Sequence, residues 1–293
     1  DKKRSHKIAF SYNFKKIIYD LSSNDSKKIF LNTDIIYIAS NHSSHIHYLK
    51  FFEKLKSKIY VEKPIVTNWD DYNVLKKLNI KDRLFTGFNR PNSRFINIVF
   101  NKINQLKYTN NLNLSFFIIG HKIDSSHWYR NKNEGTRICG NLSHWIDLSL
   151  LFLQNNKSRF NFLDINIVYS NNKFSDENII INFISPNNDL INIFFSVKDD
   201  PFEGVTELIK FHRSDLNVTI DNFKYMKIND NNNIYKYRNF YKDAGHRNTV
   251  WKPFIKIKIN DNWEHVLLST KLILFIADMI KNNENNKRFF IEE

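Results

Sequence analysis

Short apolar runs alternate with amphipathic stretches over the first third of the chain. The run at 34–39 is continuous, as expected of a strand that is buried on both faces, and 58–61 and 83–88 are further short apolar runs. The stretches after them carry apolar residues at helical spacing and predict helices at about 44–56, at about 69–78 and up to residue 105. Strand and helix alternating at this spacing predict a parallel sheet with helical crossovers.

Two more elements are predicted ahead of these runs. The segment 6–12 is predicted to be a strand, and 14–21 a helix with its apolar residues on one side. Side-chain caps are expected for two of the later helices: Asn41 or Ser43 for the helix after the first run, and Asn68 for the helix after the second.

The pattern changes past residue 110. A longer strand is predicted at 112–120, then a polar and aromatic loop, then a helix at 141–153. Short strand-like runs and a last helix follow, at about 160–170, 177–185, 189–197, 205–213, 216–221 and 261–281. This series predicts a largely antiparallel sheet with helices on one face. The domain boundary is placed near 106–111, which divides the chain into 1–108 and 109–293.

The charge of the chain is strongly positive but scattered. A formal net charge of +14 comes from 44 Lys and Arg against 30 Asp and Glu, and no basic block is longer than Lys2-Lys3-Arg4. Without a nucleic-acid-binding signature, this pattern disfavours a dedicated nucleic-acid binder and favours attraction to a small anionic substrate. A basic RNA-associated protein stays a weaker alternative, and it would need the charge gathered on one face.

Cysteine and apolar content indicate the compartment. Cys139 is the single cysteine, so no intramolecular disulfide is expected. No signal peptide precedes the first predicted strand, and the apolar run Leu272–Ala277 is far too short to span a bilayer. These features predict a cytoplasmic protein without a membrane partner.

Polar residues gather where the predicted parallel strands end. Pro64 disfavours helical backbone at Lys63, which is therefore held extended after Glu62, at the edge where open α/β sheets bind ligands. In the later helix His144 and Asp147 share a face, so the carboxylate is expected to orient the imidazole. A histidine that takes a carbinol proton and a lysine that stabilises the alkoxide suit hydride transfer.

Each of these residues also has a purely structural interpretation. Glu-Lys-Pro by itself fits a strand followed by a capping lysine, and a histidine on an apolar helix fits a core residue. Asp147 fits a structural helix position equally well, Cys139 fits a small buried residue, and Trp128 and Tyr129 fit substrate stacking or packing. No carboxylate or cysteine partner accompanies the histidines after the first run, so no metal site is expected at His42, His45 or His47.

Five short motifs, in this order, resemble those of the Gfo/Idh/MocA oxidoreductases. They are Ile38–His45, Val61–Pro64, Gly87–Arg90, Trp128–Arg130 and Gly135…His144-x-x-Asp147. The resemblance covers residues 30 to 150 by motif and the rest by architecture. It implies an α/β fold, with a partial Rossmann-like parallel-sheet domain followed by an α+β domain with a largely antiparallel open sheet. It also implies hydride transfer between NAD or NADP and the hydroxyl or carbonyl of a sugar or nucleotide-sugar.

The resemblance implies a role for each matching residue. The catalytic residues would be Lys63, His144 and Asp147. The cofactor would be bound by Ser40, Asn41, His42, His45, Glu62, Lys63, Asn89 and Arg90. The substrate would be bound by Lys63, Trp128, Arg130, Asn141 and His144. A homo-oligomer formed through the C-terminal sheet is also expected.

The chain departs from the family pattern in two places. Many members have an aspartate four residues before the histidine, where this chain has Gly140, so more weight falls on His144 itself. Family members also begin with a glycine-rich turn, and none of the six glycines here forms G-x-G-x-x-G. We expect that one strand–loop–helix unit of roughly thirty residues is missing, or about twice that length. The longer deletion is favoured, because 9–21 resembles the family segment before the 34–39 run.

Two consequences follow for function. The leading hypothesis is an NAD(P)-dependent oxidoreductase, with the 293-residue chain alone expected to bind NAD(P) weakly and not to turn over. The alternative is a non-catalytic protein of the same fold, which binds a partner or a carbohydrate.

Overall fold

The computed structural model describes residues 2–106, 111–155, 160–170, 174–202, 204–255 and 261–291. Its first sheet has three parallel strands, in the order in which they occur in the chain. They are β1 (Ile35–Ile38), β2 (Lys58–Val61) and β3 (Leu84–Thr86). The predicted adjacency and direction of these strands are confirmed. Their carboxyl ends therefore lie at one edge of the sheet, with β2 in the centre.

β1 is less enclosed than its apolar sequence predicted. Tyr37 is 39% exposed, because β1 stands at the end of the strand order. Its ring packs against Tyr60 and Phe254, with centroids 5.0 and 6.3 Å away. The expectation of burial on both faces is wrong for β1. In β3, by contrast, every residue is buried.

Five helices accompany this sheet: α1 (Lys2–Ser11), α2 (Asn24–Leu31), α3 (His45–Phe52), α4 (Trp69–Leu75) and α5 (Arg94–Gln105). The predicted cap of α4 is confirmed, since the Asn68 side chain accepts a 2.9 Å hydrogen bond from the Asp71 N–H. The predicted cap of α3 is wrong. A short 3₁₀ turn precedes α3, and Ser43 bonds the Glu134 carboxylate through its N–H and its hydroxyl.

The start of the chain is helical where a strand was predicted. α1 occupies the predicted strand 6–12, and the predicted helix 14–21 contains no helical turn. A helix satisfies its own backbone N–H and C=O groups, whereas a strand needs a neighbouring strand. The apolar side chains here find no core, since Phe10 is 92% and Phe14 is 61% exposed. The spacing of these apolar side chains therefore does not indicate a buried face.

The second sheet has nine strands in the order β11-β10-β9-β8-β4-β7-β6-β5-β12. β4 pairs in parallel with β7, and the other neighbouring pairs are antiparallel. The strands are β4 (Asn113–Ile119), β5 (Phe162–Tyr169), β6 (Ile179–Ile184), β7 (Leu190–Ser196), β8 (Thr206–Arg213), β9 (Leu216–Asp221), β10 (Tyr225–Asp230), β11 (Asn233–Arg238) and β12 (Asn286–Phe290). The prediction of a largely antiparallel second sheet is confirmed.

β10, β11 and β12 were not predicted. In β11 five of the six residues are exposed, and in β12 only Phe289 is buried. β10 buries only Met226 and Ile228, and β11 and β12 are the two end strands of the sheet, where few side chains reach the core. A strand of this kind has no apolar run to reveal it.

Two long helices cover one face of the second sheet. α6 (Ser143–Asn155) follows a π-helical turn at Ile138–Leu142, and α8 (Trp263–Lys281) packs beside it. Both predicted helices are confirmed, with α6 beginning two residues later than expected. A short helix, α7 (His246–Trp251), precedes α8. Within the described chain, no helix combines the length and the apolar character needed to cross a membrane.

The other face of the second sheet is open. Phe117 of β4 stacks on Phe194 of β7, with ring centroids 4.7 Å apart and planes 2° apart, and Phe117 is 47% exposed. Asparagine amides bond to one another across four neighbouring strands at 2.8, 2.9 and 2.7 Å, in the row Asn286, Asn166, Asn182, Asn192. This face therefore has a polar row beside an exposed aromatic pair.

The division into 1–108 and 109–293 stays a prediction. Residues 107–110 lie outside the described residues. β1–β3 and α1–α5 precede this point, and β4–β12 follow it. The later segment also returns to the first sheet, since Asp261 Oδ2 accepts hydrogen bonds from the Thr86 N–H and hydroxyl at 2.6 and 2.7 Å.

Candidate active site

Lys63 lies directly beyond the end of β2. Its ammonium donates a hydrogen bond to the carbonyl oxygen of Gly140, in the π-helical turn before α6. Burial lowers the pKa of Lys63 to about 8; the nearby Arg90 charge acts in the same direction, and the Glu62 carboxylate opposes it. Lys63 is therefore an anchored group that changes its charge near neutral pH.

Glu62 is held beside Lys63 by its own contacts. Its Oε1 accepts a 2.9 Å hydrogen bond from the Tyr60 hydroxyl. The end of β3 lies close against it, since a Cβ at Gly87 would stand 2.6 Å from Glu62 Oε2 and 2.9 Å from Lys63 N. Glycine at this position therefore lets the ends of β2 and β3 approach each other.

His144 lies in the first turn of α6, on the same side as Lys63. Its ring meets the edge of the Phe88 ring, with centroids 6.2 Å apart. Within the described structure, its buried Nδ1 has no hydrogen-bond partner. Burial lowers the pKa of His144 well below 6.5, and the charges of Arg90, Lys63 and His246 lower it further. The imidazole is therefore neutral at physiological pH.

Asp147 does not orient His144, so the expected pairing is wrong. Asp147 Oδ1 accepts hydrogen bonds of 2.8 Å from Ser269 Oγ and 2.8 Å from the His265 ring. His265 also contacts Gln154 Oε1 through Nδ1, at 2.7 Å. Shared spacing on a helix made a contact with His144 possible, but α8 packs against this side of α6 and supplies closer partners. Asp147 therefore joins α6 to α8.

Aromatic side chains cover the turn that receives Lys63. A Cβ at Gly140 would stand 2.6 Å from the Tyr129 ring, so glycine makes room for that ring. Trp128 meets His42 edge to face, with centroids 4.7 Å apart, and is 41% exposed. From the sequence, Trp128 and Tyr129 could either stack on a substrate or pack within the protein. The structure gives Tyr129 a packing contact and leaves part of Trp128 accessible.

His42 and His45 are both buried, and their rings contact backbone carbonyls. His42 Nδ1 lies 2.9 Å from the Glu134 carbonyl, and burial lowers its pKa to about 4. His45 has Nδ1 2.8 Å from Pro64 O and Nε2 3.1 Å from Ser40 O. Both ring nitrogens of His45 therefore face backbone carbonyls, and the residue lies between the end of β1 and the end of β2. Its expected cofactor contact stays a prediction.

Ser40 and Asn41 follow β1 at the same edge. Ser40 Oγ accepts a 2.7 Å hydrogen bond from the Ser44 hydroxyl, and Ser40 is half-buried. Asn41 is exposed. Asn41 is thus the exposed member of the set expected to bind the cofactor, and Ser40, Glu62 and Lys63 are half-buried.

Asn89 and Arg90 are bonded within the protein, and their expected cofactor contact stays a prediction. Arg90 forms a two-fold ion pair with Glu207 of β8, at 3.1 Å from Nε and 2.9 Å from Nη2, and donates to Asn89 Oδ1 at 2.9 Å. Asn89 donates to the Ala244 carbonyl at 2.8 Å. Trp145 Nε1 also donates to Glu207, at 2.9 Å. This buried network joins the end of β3 to the second sheet.

The Arg130 guanidinium is also held by contacts within the protein. Its guanidinium lies over the Phe174 ring at 4.2 Å, is 3.7 Å from Asp176 Oδ1 and bonds Glu177. These carboxylates come just before β6, so their approach to the 128–134 loop is a tertiary contact. The expected substrate contact of Arg130 stays a prediction. Asn141, in contrast, lines a cavity of about 420 Å³ together with Trp128 and Tyr129, and its Oδ1 is buried without a hydrogen-bond partner in the described structure.

No family model matches the sequence, and no curated protein matches it significantly. Solved structures do. A Gfo/Idh/MocA family oxidoreductase from Vibrio cholerae has a TM-score of 0.72 at 16% identity, covering 97% of this chain and 88% of that one. Levoglucosan dehydrogenase, in a complex with NADH and levoglucosan, has a TM-score of 0.75 at 10% identity, covering 100% and 88%. The chain has the Gfo/Idh/MocA fold. The super-repressor mutant of Gal80p from Saccharomyces cerevisiae shares it, with a TM-score of 0.71 at 13% identity, covering 99% and 87%.

Within this Gfo/Idh/MocA fold, four residues at or near the site were missed by sequence reasoning. They are Glu207, His246, His265 and Arg137. Of the four, His246 was the residue that sequence reasoning could best have found, because it follows Gly245 in a polar loop. At φ +89°, a Cβ on Gly245 would stand 2.3 Å from the Asn89 carbonyl oxygen. A glycine that permits such an approach marks the loop as part of the site. The other three have no local pattern that sets them apart.

Proposed function

We propose that this protein is an NAD(P)-dependent oxidoreductase that acts on a hydroxyl or carbonyl of a sugar or nucleotide-sugar. The observation that carries the proposal is the convergence of Lys63 and His144. Lys63 bonds the carbonyl of Gly140, and His144 lies one helical turn further along and responds to the Lys63 charge. The Gfo/Idh/MocA fold supports the reaction class, and the NADH and levoglucosan in one similar structure support the type of cofactor and substrate.

The side chains at the strand ends fit the nicotinamide end of such a cofactor. Ser40 and Asn41 offer a hydroxyl and an amide after β1, and Glu62 and Lys63 offer a carboxylate and an ammonium after β2. Such groups suit ribose hydroxyls and a carboxamide. When bound, the cofactor supplies the ring carbon that accepts or gives up the hydride. Either NAD or NADP fits this proposal.

His144 and Lys63 share the proton and charge chemistry. In the direction of oxidation, neutral His144 removes the proton of the substrate hydroxyl, because its lowered pKa keeps it unprotonated. Lys63 stabilises the negative charge that develops on the same oxygen, and its bond to Gly140 fixes its direction. Trp128 and Asn141 bind the substrate in the adjoining cavity.

Several residues of the expected set have positioning roles instead. Asn89 and Arg90 hold the end of β3 to the second sheet, and His45 holds the end of β1 to the end of β2. His42 supports Trp128, and Asp147 fixes the helix that carries His144. These residues act on the reaction through the groups that they hold.

The test of this proposal is turnover by the complete gene product. A panel of sugars and nucleotide-sugars is incubated with NAD and with NADP, and the absorbance of the reduced cofactor is followed. We expect one class of sugar to be oxidised by the wild-type protein and by a Lys54→Met control, and not by Lys63→Met. Turnover that is unchanged in Lys63→Met would overturn the proposal.

The second candidate is a non-catalytic protein of the same fold. One similar structure is the super-repressor mutant of Gal80p. In this chain Asn89, Arg90 and Arg130 are also bonded internally. Binding of a sugar or a protein partner without turnover of any sugar in the panel would favour this candidate.

Three further expectations remain proposals. The chain divides into a nucleotide-binding part, 1–108, and a substrate and oligomerisation part, 109–293. The open face of the second sheet joins two copies of the chain. The single cysteine, Cys139, is buried and burial raises its pKa to about 12, as suits an inert thiol in a cytoplasmic protein.

A further inference from the structure

The cavity beside Gly140 has in its wall a buried cation, Arg137, that is hydrogen-bonded through only part of its guanidinium. Arg137 lines this cavity of about 420 Å³ and is only 2% exposed. Its Nη2 donates to the His121 carbonyl at 2.8 Å, but Nε and Nη1 have no hydrogen-bond partner in the part of the chain that the structure describes. Leaving buried donors of a charged group unbonded is costly, so an arrangement of this kind is expected where a ligand completes it.

The carboxylates nearest to Arg137 are already engaged. Asp176 accepts the Arg137 backbone N–H at 2.9 Å and lies 3.7 Å from Arg130, and Glu177 bonds Arg130. Both raise the pKa of Arg137, but burial opposes them more strongly and the net shift is downward. The guanidinium is therefore not fully compensated by its neighbours.

The wall of the cavity carries more positive than negative charge. Lys122, Arg137 and Asp124 line it, and His121, which also lines it, lies 3.1 Å from Asp200. One carboxylate on the wall cannot balance two permanent cations. The space thus suits a ligand group with a negative charge.

The same cavity also offers a buried acceptor. The Oδ1 of Asn141 has no hydrogen-bond partner among the described residues, and an amide oxygen is satisfied by a hydroxyl donor. Trp128 supplies a partly accessible aromatic surface beside it. A carboxylate alone would leave this acceptor unbonded, whereas a polyhydroxy acid provides both groups.

The cavity adjoins the catalytic pair. Asn141 follows Gly140, whose carbonyl accepts the Lys63 hydrogen bond, and the Tyr129 ring packs on Gly140 and also lines the cavity. Lys63 and His144 do not line the cavity themselves, so a substrate held here by one end has to extend beyond it to reach them.

We propose that this cavity binds the carboxylate end of a sugar acid, with Arg137 as the partner of the carboxylate and Asn141 as the acceptor for a neighbouring hydroxyl. The inference rests on the proposed function and narrows its substrate class from sugars in general to sugar acids.

The experiment compares three acids with the neutral sugars that match them. Calorimetry of the complete gene product, with and without NADH, measures binding of D-glucuronate against D-glucose, D-galacturonate against D-galactose, and D-gluconate against D-glucitol. We expect at least one acid to bind about tenfold or more tightly than its neutral match, the scale of a charge-assisted hydrogen bond. Equal affinity within every pair, or no binding of any acid at about 10 mM, would overturn the proposal.

Substitutions of Arg137 test whether the preference for acids over neutral sugars arises in this cavity. Arg137→Met keeps an unbranched apolar stem but removes the guanidinium, and with it the contact at 5.1 Å from the Phe195 ring. It should lose the acid preference and keep the neutral-sugar affinity within about twofold. Arg137→Lys should restore part of the preference, and Arg288→Met on the distant β12 should leave it unchanged. A preference that survives in Arg137→Met overturns the assignment.

A second variant covers the case in which Arg137→Met does not fold. Asn141→Asp places a carboxylate at the hydroxyl position, where it repels the acid and should weaken acids more than neutral sugars; equal weakening would overturn the proposal.

Measuring both binding and turnover separates the sugar-acid site from the proposed reaction. An acid preference without turnover refutes the proposed reaction alone, whereas turnover of neutral sugars without an acid preference refutes the sugar-acid site alone.

Discussion

Lys63 donates a hydrogen bond to the backbone carbonyl of Gly140, and this bond joins the end of a parallel strand to the turn that begins α6. It brings an ammonium group from the first sheet next to the helix that carries His144. The residues involved are 77 positions apart in the chain. The hydrogen bond thus explains how Lys63 and His144, the pair expected from the sequence, come close together. The first prediction concerns this pair.

Lys63→Met and His144→Ala should each lower kcat by at least about a hundredfold, the usual scale of lost acid–base or charge stabilisation. Each change removes a group that acts on the developing oxyanion or its proton. Steady-state rates with the substrate found in the panel measure the effect. His47→Ala and Lys54→Met, at exposed positions of the first domain, are the matched controls and should keep full activity. A His144→Ala enzyme as active as these controls would remove His144 from the reaction.

The activity should depend on pH through the ionisation of Lys63 and His144. Lys63 must be protonated to stabilise an oxyanion, and its pKa is about 8. As the pH rises through that value the cation is lost, so kcat/KM should fall above pH 8. His144 must be neutral, and its pKa lies well below 6.5, so the acidic decline should begin below 6.5. A pH profile of kcat/KM measures both limits.

Lys63→Arg separates this interpretation from a general effect of pH on the protein. Arginine stays protonated throughout the accessible range. The variant should be slower, but its alkaline decline should move upward. An alkaline decline at the same pH in Lys63→Arg would assign it to another group.

The buried pair of Arg90 and Glu207 should matter more for stability than an exposed pair of the same type. Arg90→Met leaves the Glu207 carboxylate buried with Trp145 and the more distant Lys242 as its partners, and removing one member of a buried pair costs about 3–5 kcal/mol. Urea unfolding measures the loss of free energy. Arg288→Met breaks the exposed pair with Asp164 and should leave the stability almost unchanged. Equal midpoints and slopes for the two variants would contradict this prediction.

Local patterns were sufficient for much of the fold. β1, β2 and β3 are apolar runs bounded by polar loops, and the Asn68 cap follows from one residue and the helix after it. The alternation of strands and helices then fixed the parallel order. α1 shows the limit, since its apolar residues face solvent and no periodicity distinguishes them from a buried strand.

The partners of the site residues were beyond local reasoning. Lys63 and His144 could be expected together because each stands at the end of an element that the topology directs to one edge. Arg90 could not be assigned to Glu207, since 117 residues separate them and neither stands out in its own segment. Asp147 was misassigned for the same reason, because its partners His265 and Ser269 lie on α8. Long-range packing decided these contacts.

The open face of the second sheet should join two copies of the chain. Phe117 is 47% exposed on this face and stacks on Phe194 in the middle strands, and a stable dimer buries about 800 Å² on each partner. Phe117→Lys places a charge on each side of such an interface and should convert the dimer to a monomer. Its melting temperature should fall only by the stabilisation that dimerisation supplied, because the ring is not part of the core.

Sedimentation equilibrium of the wild type, Phe117→Lys and Phe202→Lys makes this comparison. Phe202 is fully exposed outside the strands, so the control adds the same charge and removes the same side chain away from the sheet face. We expect the wild type and Phe202→Lys to be dimers and Phe117→Lys to be a monomer. A monomeric wild type, or a Phe117→Lys dimer as stable as the control, would show that the exposed stack does not join two copies.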